Sequence, residues 1–208
     1  MSDFRSVSTQ PDYALLELML KFYAPGALNI VDATCNERRF WKGSGRRVVG
    51  IDLAESVKPD LCANNQRLPL PSGWAEVLVY DPPHLPIAAA SANSSQIYAS
   101  KFGITSDRPK ADNIVFEFQP FLDEAYRVLQ EGGLVFAKIA DLVHNHRYQW
   151  QHIDFILEAQ RQGFTPCDLI VSAKPGAGNL RSSKWQNLHH ARKAHCYFII
   201  LRKGAKCE

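Results

Sequence analysis

The stretch that decides the fold is Ala75-Glu76-Val77-Leu78-Val79-Tyr80-Asp81, a mainly apolar run that ends in a carboxylate. A short apolar run of this kind predicts a strand that is buried on both faces of a sheet. Two earlier runs have the same form: Ala27-Leu28-Asn29-Ile30-Val31-Asp32 and Arg47-Val48-Val49-Gly50-Ile51-Asp52. The carboxyl ends of parallel strands meet at one edge of a sheet, so we expect the three carboxylates where such sheets bind ligands.

The rest of the sequence alternates between helical and strand patterns. Apolar residues recur at steps of three and four residues in three segments, 11–24, 113–130 and 148–162, and this spacing predicts helices. Further strands are predicted from the runs at 134–139, 167–171 and 195–201. Strands that alternate with helices predict an α/β fold, with a mostly parallel sheet covered by helices on both faces.

The composition is that of an ordinary globular protein. The chain has 208 residues, 46% of them apolar and 22% charged, which suits a single domain over residues 1–208. No apolar run approaches the roughly 18 residues that span a bilayer, and the first residues lack the order of a signal peptide. We therefore expect a cytoplasmic protein without a membrane partner. Scattered cysteines, none at C-x-x-C spacing, predict free thiols and no metal site.

The tetrapeptide Asp81-Pro82-Pro83-His84 directly follows one of the predicted strands. Its two prolines lack backbone N–H groups and restrict the chain to an extended or turn conformation. A carboxylate beside a fixed carbonyl forms a double acceptor for an NH₂ group and orients the amine lone pair. A flat fourth side chain, here His84, can stack on a base. The alternative is a Pro-Pro turn that only ends a strand, and the position one strand after Asp52 favours the functional interpretation.

The end of the second strand and the turn after the first indicate the kind of cofactor. Asp52 stands where an acid accepts hydrogen bonds from the ribose hydroxyls of an adenosyl group. The turn Ala33-Thr34-Cys35-Asn36 lacks the G-x-G-x-x-G pattern that brings a backbone close to a pyrophosphate. The pattern therefore favours a cofactor without phosphates over a dinucleotide.

These motifs resemble those of the amino-methyltransferases of DNA and RNA, whose signature is D/N/S-P-P-Y/F/W. The likeness is greatest to small methyltransferase-like proteins of phages and mobile elements, which carry D-P-P-H. Their L-D-A-T-C-G-x-R-x-F/I-W segment is similar to Val31-Asp32-Ala33-Thr34-Cys35-Asn36-Glu37-Arg38-Arg39-Phe40-Trp41. Their P-D-x-x-x-D-x-x-x-L-P-F segment is similar to Pro59-Asp60-Leu61-Cys62-Ala63-Asn64-Asn65-Gln66-Arg67-Leu68-Pro69-Leu70. The likeness extends over residues 9–203 and is most specific over 31–85.

The resemblance implies a Rossmann-like class I methyltransferase fold with a seven-stranded sheet, and S-adenosylmethionine as cofactor. The cofactor-binding residues that it implies are Thr9, Gln10, Asp32, Ala33, Thr34, Cys35, Asp52, Leu53 and Asn64. The target base would be held by Asp81, Pro82, Pro83 and His84. At two positions this chain departs from the family pattern, because Asn36 replaces a glycine and Asn64 replaces an acid.

The segment 174–193 has a composition that suits contact with nucleic acid. It contains five cations and no acid, with a tryptophan among them: Lys174, Arg181, Lys184, Trp185, Arg192 and Lys193. Cations neutralise phosphates, and a tryptophan stacks on an exposed base. The alternative is a solvated basic loop between the last two strands. Residues 85–110 and 174–194 are the two candidate substrate loops.

Together these features predict a methyltransferase that acts on an exocyclic amine of a DNA base, adenine or cytosine. An RNA base N-methyltransferase would use the same tetrapeptide chemistry and stays open as an alternative. Asn36 and Asn64 leave open a nucleic-acid-binding protein with weakened catalysis on the same fold. A small-molecule methyltransferase is a further alternative, and the basic segment 174–193 argues against it.

Overall fold

A computed structural model describes residues 4–83, 115–144, 147–174, 190–191 and 193–204, with backbone alone for 115–117 and 144. The predicted loop 85–110 and most of 174–194 lie outside the described residues. So do five predicted site residues: His84, Arg181, Lys184, Trp185 and Arg192. The predictions made for those positions therefore stay predictions.

The described chain contains ten strands and three α-helices. The strands are β1 (Val7–Ser8), β2 (Ile30–Asp32), β3 (Val48–Asp52), β4 (Leu61–Cys62), β5 (Ala75–Tyr80), β6 (Leu129–Ile139), β7 (Leu142–His144), β8 (Arg147–Gln149), β9 (Phe164–Ala173) and β10 (His195–Lys203). The helices are α1 (Asp12–Tyr23), α2 (Val115–Val128) and α3 (Gln151–Arg161). Single 3₁₀ turns follow β2 and β3, at Arg39–Trp41 and Glu55–Val57.

Eight of the strands form one sheet in the order β1-β9-β10-β6-β5-β2-β3-β4, and β7 and β8 form a separate hairpin. Only β10 runs antiparallel to its neighbours among these pairings. The predicted α/β fold with a mostly parallel sheet is confirmed. The described sheet has eight strands instead of seven, because the two-residue strands β1 and β4 each pair at an edge.

Helices cover both faces of the sheet, as predicted. Side chains alternate between the faces along β5, where Val77 and Val79 join one buried cluster and Leu78 and Tyr80 the other. Helix α1 packs on the first face, while α2 and α3 pack on the second. The Tyr80 ring stacks on Phe121 of α2 at a centroid distance of 3.6 Å. Because Tyr80 is the residue before Asp81, this stack fixes the end of β5 where the tetrapeptide begins.

Two predicted boundaries are wrong, for reasons that lie in tertiary contacts. Strand β6 begins at Leu129, inside the predicted helix 113–130, because Leu129 already pairs with Ala75. The next pair is Val77 with Leu134, so the register shifts between the two pairs. Gly132 lies within this shift and has a φ of +75°. Residues 147–149 form strand β8 instead of the predicted start of a helix, since the Tyr148 hydroxyl donates to the buried Asp141 carboxylate at 2.8 Å.

The described cysteines are not all free thiols. Cys35, Cys62 and Cys196 are free thiols, whereas Cys167 is in a disulfide, so the expectation of free thiols is wrong for Cys167. No described helix has the length and apolar character to cross a bilayer. Among the described side chains, no group of three His, Cys, Asp or Glu converges as a set of metal ligands.

Candidate active site

A pocket lies at the carboxyl ends of β2, β3 and β5. Its lining residues come from the segments that follow four neighbouring strands: Ala33, Thr34, Asn36, Asp52, Leu53, Ala63, Asn64, Asn65, Asp81 and Pro83. Strand β2 pairs with both β3 and β5, so the three strand ends are adjacent. The predicted convergence of strand-terminal residues is therefore confirmed for Asp52 and Asp81.

Asp52 presents its carboxylate to this pocket and also organises the loops around it. One oxygen accepts the N–H of Asn36 at 2.8 Å, and the other accepts the N–H of Ala54 at 3.0 Å. A carboxylate has about four acceptor sites, so two backbone bonds leave capacity for hydroxyl donors. Leu53, which is 41% exposed, adds an apolar surface beside the carboxylate. This combination suits a ribose with an attached flat base.

Asn36 occupies a left-handed backbone conformation, with φ of +44°. Glycine adopts this conformation without steric cost, and Asn adopts it more readily than most other residues. The Asn36 side chain also accepts the N–H of Glu37 at 2.9 Å, which supports the turn locally. The residue that replaces the family's glycine thus keeps the turn that a glycine would make.

Asn64 lines the same pocket and lies in the loop after β4. Its Oδ1 accepts the N–H of Gln66 at 2.9 Å, and its backbone carbonyl accepts the N–H of Arg67 at 2.9 Å. The side-chain amide retains an NH₂ group, which a carboxylate at this position would not have. Asn64 therefore adds hydrogen-bond donors to the lining of the pocket.

Asp32 and Cys35 lie behind the pocket and are not among its lining residues. The Asp32 carboxylate is buried, where it accepts the Trp41 indole N–H at 2.7 Å and the Thr34 N–H at 3.1 Å. Burial raises the pKa of Asp32 to about 7, against the opposing effect of these two donors, and the nearby Asp81 and Asp52 carboxylates add to the increase. Burial likewise raises the pKa of the Cys35 thiol to about 12. Their predicted contact with a cofactor stays a prediction.

Asp81 is held in place through both its backbone and its side chain. Its N–H donates to the Thr34 hydroxyl at 2.7 Å, which joins the tetrapeptide to the turn after β2. Lys138 Nζ lies 3.3 Å from Asp81 Oδ2. Pro83 lines the pocket, whereas Pro82 is half-buried and does not. The carboxylate thus sits at the pocket wall in an orientation that several elements determine.

Lys138 is a site residue that the sequence reasoning missed. Its ammonium group contacts the Asp12 carboxylate at 3.1 Å as well as Asp81, and Asp12 in turn binds Lys174 Nζ at 2.8 Å and Ser172 Oγ at 3.0 Å. Burial acts against the charge, but the Asp81 and Asp12 carboxylates raise the pKa of Lys138. The available signal was a lysine inside the apolar run 134–139, where charge is found almost only when paired.

Four other predicted residues are described but do not line the pocket: Thr9, Gln10, Lys174 and Lys193. Thr9 and Gln10 are exposed in the segment between β1 and α1. Lys174 is bound to Asp12, so it belongs to the network around Asp81. Lys193 Nζ lies 3.9 Å from the centroid of the Tyr148 ring, near the β7–β8 hairpin. The predicted roles of these residues in binding stay predictions.

Asp52 and Asp60 both bind the turn after β2, but only Asp52 lines the pocket. Asp60 lies outside the pocket lining, where its carboxylate binds Arg38 at 2.6 Å and accepts the Gly50 N–H at 2.7 Å. A Cβ at Gly50 would lie 3.0 Å from the Arg38 guanidinium and 3.1 Å from Cys35, so a larger residue there would require these side chains to move. Asp60 therefore supports the pocket from behind, and Asp52 faces into it.

The sequence matches no protein-family model and no curated protein. Similar solved structures include a SAM-dependent methyltransferase from Methanosarcina mazei, with a TM-score of 0.56 and 12% identity over 90% of this chain and 98% of that one. Another is the Burkholderia thailandensis 1,6-didemethyltoxoflavin-N1-methyltransferase with bound 1,6-didemethyltoxoflavin and S-adenosylhomocysteine, with a TM-score of 0.54 and 11% identity over 98% and 80% of the two chains. The chain has the class I methyltransferase fold.

Further similar structures belong to a proposed DNA modification methylase from Thermus thermophilus. The one complexed with S-adenosyl-L-methionine has a TM-score of 0.42 and 15% identity, over 67% of this chain and 50% of that one. This chain thus spans about half the length of that protein.

Proposed function

We propose that this protein transfers a methyl group from S-adenosylmethionine to an exocyclic amine of a DNA base, adenine or cytosine. The observation that carries the proposal is that Asp52 and Asp81 line one pocket at the carboxyl edge of a methyltransferase fold. The Asp52 carboxylate suits the ribose of an adenosyl group, and the Asp81 carboxylate suits the amine that receives the methyl group. A pocket that holds both molecules brings the reacting atoms into the proximity that a transfer between them requires.

The residues of the pocket fit an adenosyl cofactor. Asp52 retains acceptor capacity for two ribose hydroxyls, Leu53 and Ala63 offer apolar contact to a flat base, and Asn64 offers polar atoms to its edge. The turn Ala33-Thr34 and Asn36 would adjoin the remaining part of the cofactor. When bound, S-adenosylmethionine supplies an electrophilic methyl group on a sulfonium.

The chain's own contribution to the reaction is to orient and stabilise the amine. The Asp81 carboxylate accepts an N–H of the amine, and the Pro82 carbonyl is the second acceptor that the tetrapeptide provides. Formation of the N–C bond, with breakage of the methyl–sulfur bond to leave S-adenosylhomocysteine, would place a positive charge on the nitrogen, and a fixed carboxylate stabilises that charge. The nitrogen then loses a proton to solvent. Lys138 and Thr34 hold Asp81 in position, so that little reorganisation is needed during the reaction.

The test is transfer of a labelled methyl group to nucleic acid by the wild type and by Asp81→Ala. We expect the variant to lose at least about 100-fold in kcat while its Kd for S-adenosylmethionine changes less than about threefold. Glu55→Ala is the matched control, because Glu55 is an exposed acid at the same edge of the sheet that does not line the pocket. Full activity of Asp81→Ala would contradict the proposed mechanism.

The choice of substrates separates the alternatives. Single-stranded DNA, duplex DNA, tRNA and rRNA are offered in parallel, and transfer to RNA alone would favour an RNA base N-methyltransferase. Absence of cofactor binding at millimolar concentration, measured by calorimetry, would favour a nucleic-acid-binding protein with weakened catalysis. The left-handed turn at Asn36 supports retained cofactor binding, because the backbone there has the conformation that a glycine would adopt.

A further inference from the structure

A group of aromatic and basic side chains lies at the same sheet edge as the pocket. This aromatic cluster consists of Arg147, Tyr148, Trp150, His152, Lys193 and Tyr197. Strand β6 runs parallel to β5 with Tyr80 opposite Ala137, so Asp81 is level with Lys138 and Asp141 follows three residues later. Tyr197 of β10 pairs with Ile139. The cluster therefore stands at the carboxyl edge, on the β6 and β10 side of Asp81.

A buried carboxylate fixes the rings of the aromatic cluster. Asp141, only 5% exposed, accepts the Tyr148 hydroxyl at 2.8 Å, and its other oxygen lies 2.7 Å from His152 Nδ1. The His152 ring stacks on Tyr197 at a centroid distance of 4.1 Å and an interplanar angle of 22°. Burial and the adjacent Asp141 carboxylate raise the pKa of Tyr148, so its hydroxyl remains a donor. The rings are thus held in place before any ligand arrives.

The outer ring of the cluster is exposed, and the cluster includes two cations. Trp150 is 53% exposed, and its centroid lies 4.2 Å from that of Tyr148 at an angle of 43°. Lys193 Nζ lies 3.9 Å from the Tyr148 centroid, and Arg147 is exposed at the start of β8. An exposed indole that packs on Tyr148 is a stacking surface for a nucleobase, and cations in the same cluster suit neighbouring phosphates.

We propose that the aromatic cluster is a platform for single-stranded or locally opened nucleic acid. A base next to the target base stacks on Trp150, while Arg147 and Lys193 contact neighbouring phosphates. This inference rests on the proposed function and deepens it, because it identifies an unpaired strand as the form of substrate that binds. A base inside a duplex has no free face, so an enzyme that works on it must first take it out of the stack.

The composition of the segment that ends at Lys193 favours nucleic acid over a protein partner. Three further apolar side chains are exposed nearby on the hairpin and on α3: Val143 (41%), Ile153 (42%) and Leu157 (47%). Exposed apolar residues of this kind also occur in protein–protein interfaces. However, the segment 174–193 that leads to Lys193 carries five cations and no acid, which matches a polyanion.

The experiment measures binding of a fluorescein-labelled single strand of about 12 nucleotides and of the matching duplex by anisotropy, at about 50 and 200 mM salt. We expect Trp150→Ala to weaken binding of the single strand about 10-fold or more, and Trp150→Phe to stay within about threefold of the wild type. Lys193→Gln should weaken binding less at high salt than at low salt, since one phosphate contact is lost. Leu157→Ala is the control for an exposed apolar residue on α3, with an expected change under about twofold.

Methyl transfer and sedimentation of the same variants distinguish the possible failures. If the wild type methylates DNA and Trp150→Ala leaves both Kd and KM for the strand unchanged, the platform is wrong and the proposed function stands. If the wild type binds the strand through Trp150 but methylates no nucleic acid, the proposed function is wrong and the platform stands. If the wild type binds no oligonucleotide, or if Trp150→Ala and Leu157→Ala alter only the sedimentation coefficient, the platform is overturned.

Discussion

Lys138 lies beside Asp81 in the interior of the protein, with Nζ 3.3 Å from Oδ2, although the two residues are 57 positions apart. The same ammonium group is 3.1 Å from Asp12 Oδ2, at the first residue of α1. A lysine this deeply buried keeps its charge only when carboxylates surround it. The position of the tetrapeptide acid therefore depends on β6 and α1 as well as on its own strand.

The first prediction is that Lys138→Met lowers kcat about 10- to 100-fold, because small displacements of a catalytic group are costly. Its Kd for S-adenosylmethionine should change less than about threefold, since Lys138 does not line the pocket. Lys203→Met is the matched control. Lys203 is also a buried lysine, but its Nζ donates to the Leu129 carbonyl at 2.8 Å, at the far end of β6. Equal loss of kcat in both variants would point to general destabilisation.

The second prediction concerns Asp52 and cofactor affinity. We expect Asp52→Ala to raise the Kd for S-adenosylmethionine about 10-fold or more, because hydrogen bonds to a charged group contribute about 1.5–3 kcal/mol. Asp52→Asn keeps one carbonyl acceptor and should have a smaller effect. Calorimetry of both variants, with Glu55→Ala as control, measures the difference. An unchanged Kd for Asp52→Ala would exclude Asp52 as the ribose acceptor.

The third prediction uses the left-handed backbone of Asn36, whose φ is +44°. Asn36→Ala should lower the free energy of unfolding by about 1 kcal/mol, because alanine adopts the left-handed conformation less readily than asparagine and loses the acceptor for the Glu37 N–H, while Asn36→Gly should be close to neutral. Urea unfolding measures both. Asn65 lines the same pocket and is not among the residues with positive φ, so there the order should reverse, with glycine the more destabilising. If the Gly variant were more stable than the Ala variant at both positions, or less stable at both, the left-handed conformation of Asn36 would be contradicted.

The sequence predicted the features that depend on local pattern. Strand ends at Asp52 and Asp81 could be found because an apolar run that stops at an acid is visible in the chain itself. The network around Lys138 could not, because its members are brought together only by the order of β5 and β6 and by the packing of α1. The β7–β8 hairpin was missed for the same reason: its three-residue strands have little pattern, and the buried Asp141 anchors them.

Asp32 shows that an acid at a predicted strand end can have structural contacts that the sequence does not reveal. Its place after the first predicted strand is confirmed, but its carboxylate faces the Trp41 indole and the Thr34 backbone behind the pocket lining. The likeness of the segment 31–41 to a family motif therefore contains a structural pair, an acid and the tryptophan that closes the turn. Such a pair is recognisable only when the side-chain directions are known.

The last prediction is a pH dependence of stability that originates at Asp32. Burial raises its pKa from 3.8 to about 7, so between these values the folded protein holds a proton that the unfolded chain has released. Stability therefore decreases as the pH rises through this window, and the stabilising contribution is complete only below about pH 4. Asp32→Asn cannot titrate. The unfolding free energy of the variant relative to the wild type should rise by up to about 4 kcal/mol between about pH 4 and 7.

Urea unfolding across this range tests the sign as well as the size. At about pH 4 the variant should be less stable than the wild type by about 1 kcal/mol, because an amide has one acceptor for the two donors Trp41 and Thr34. Asp60→Asn is the contrasting control. Arg38 lowers the pKa of Asp60, so its contribution is present above about pH 4 and is lost as the pH falls. Parallel curves for Asp32→Asn and the wild type would show that Asp32 titrates as an ordinary carboxyl, with its charge fully stabilised by the two donors.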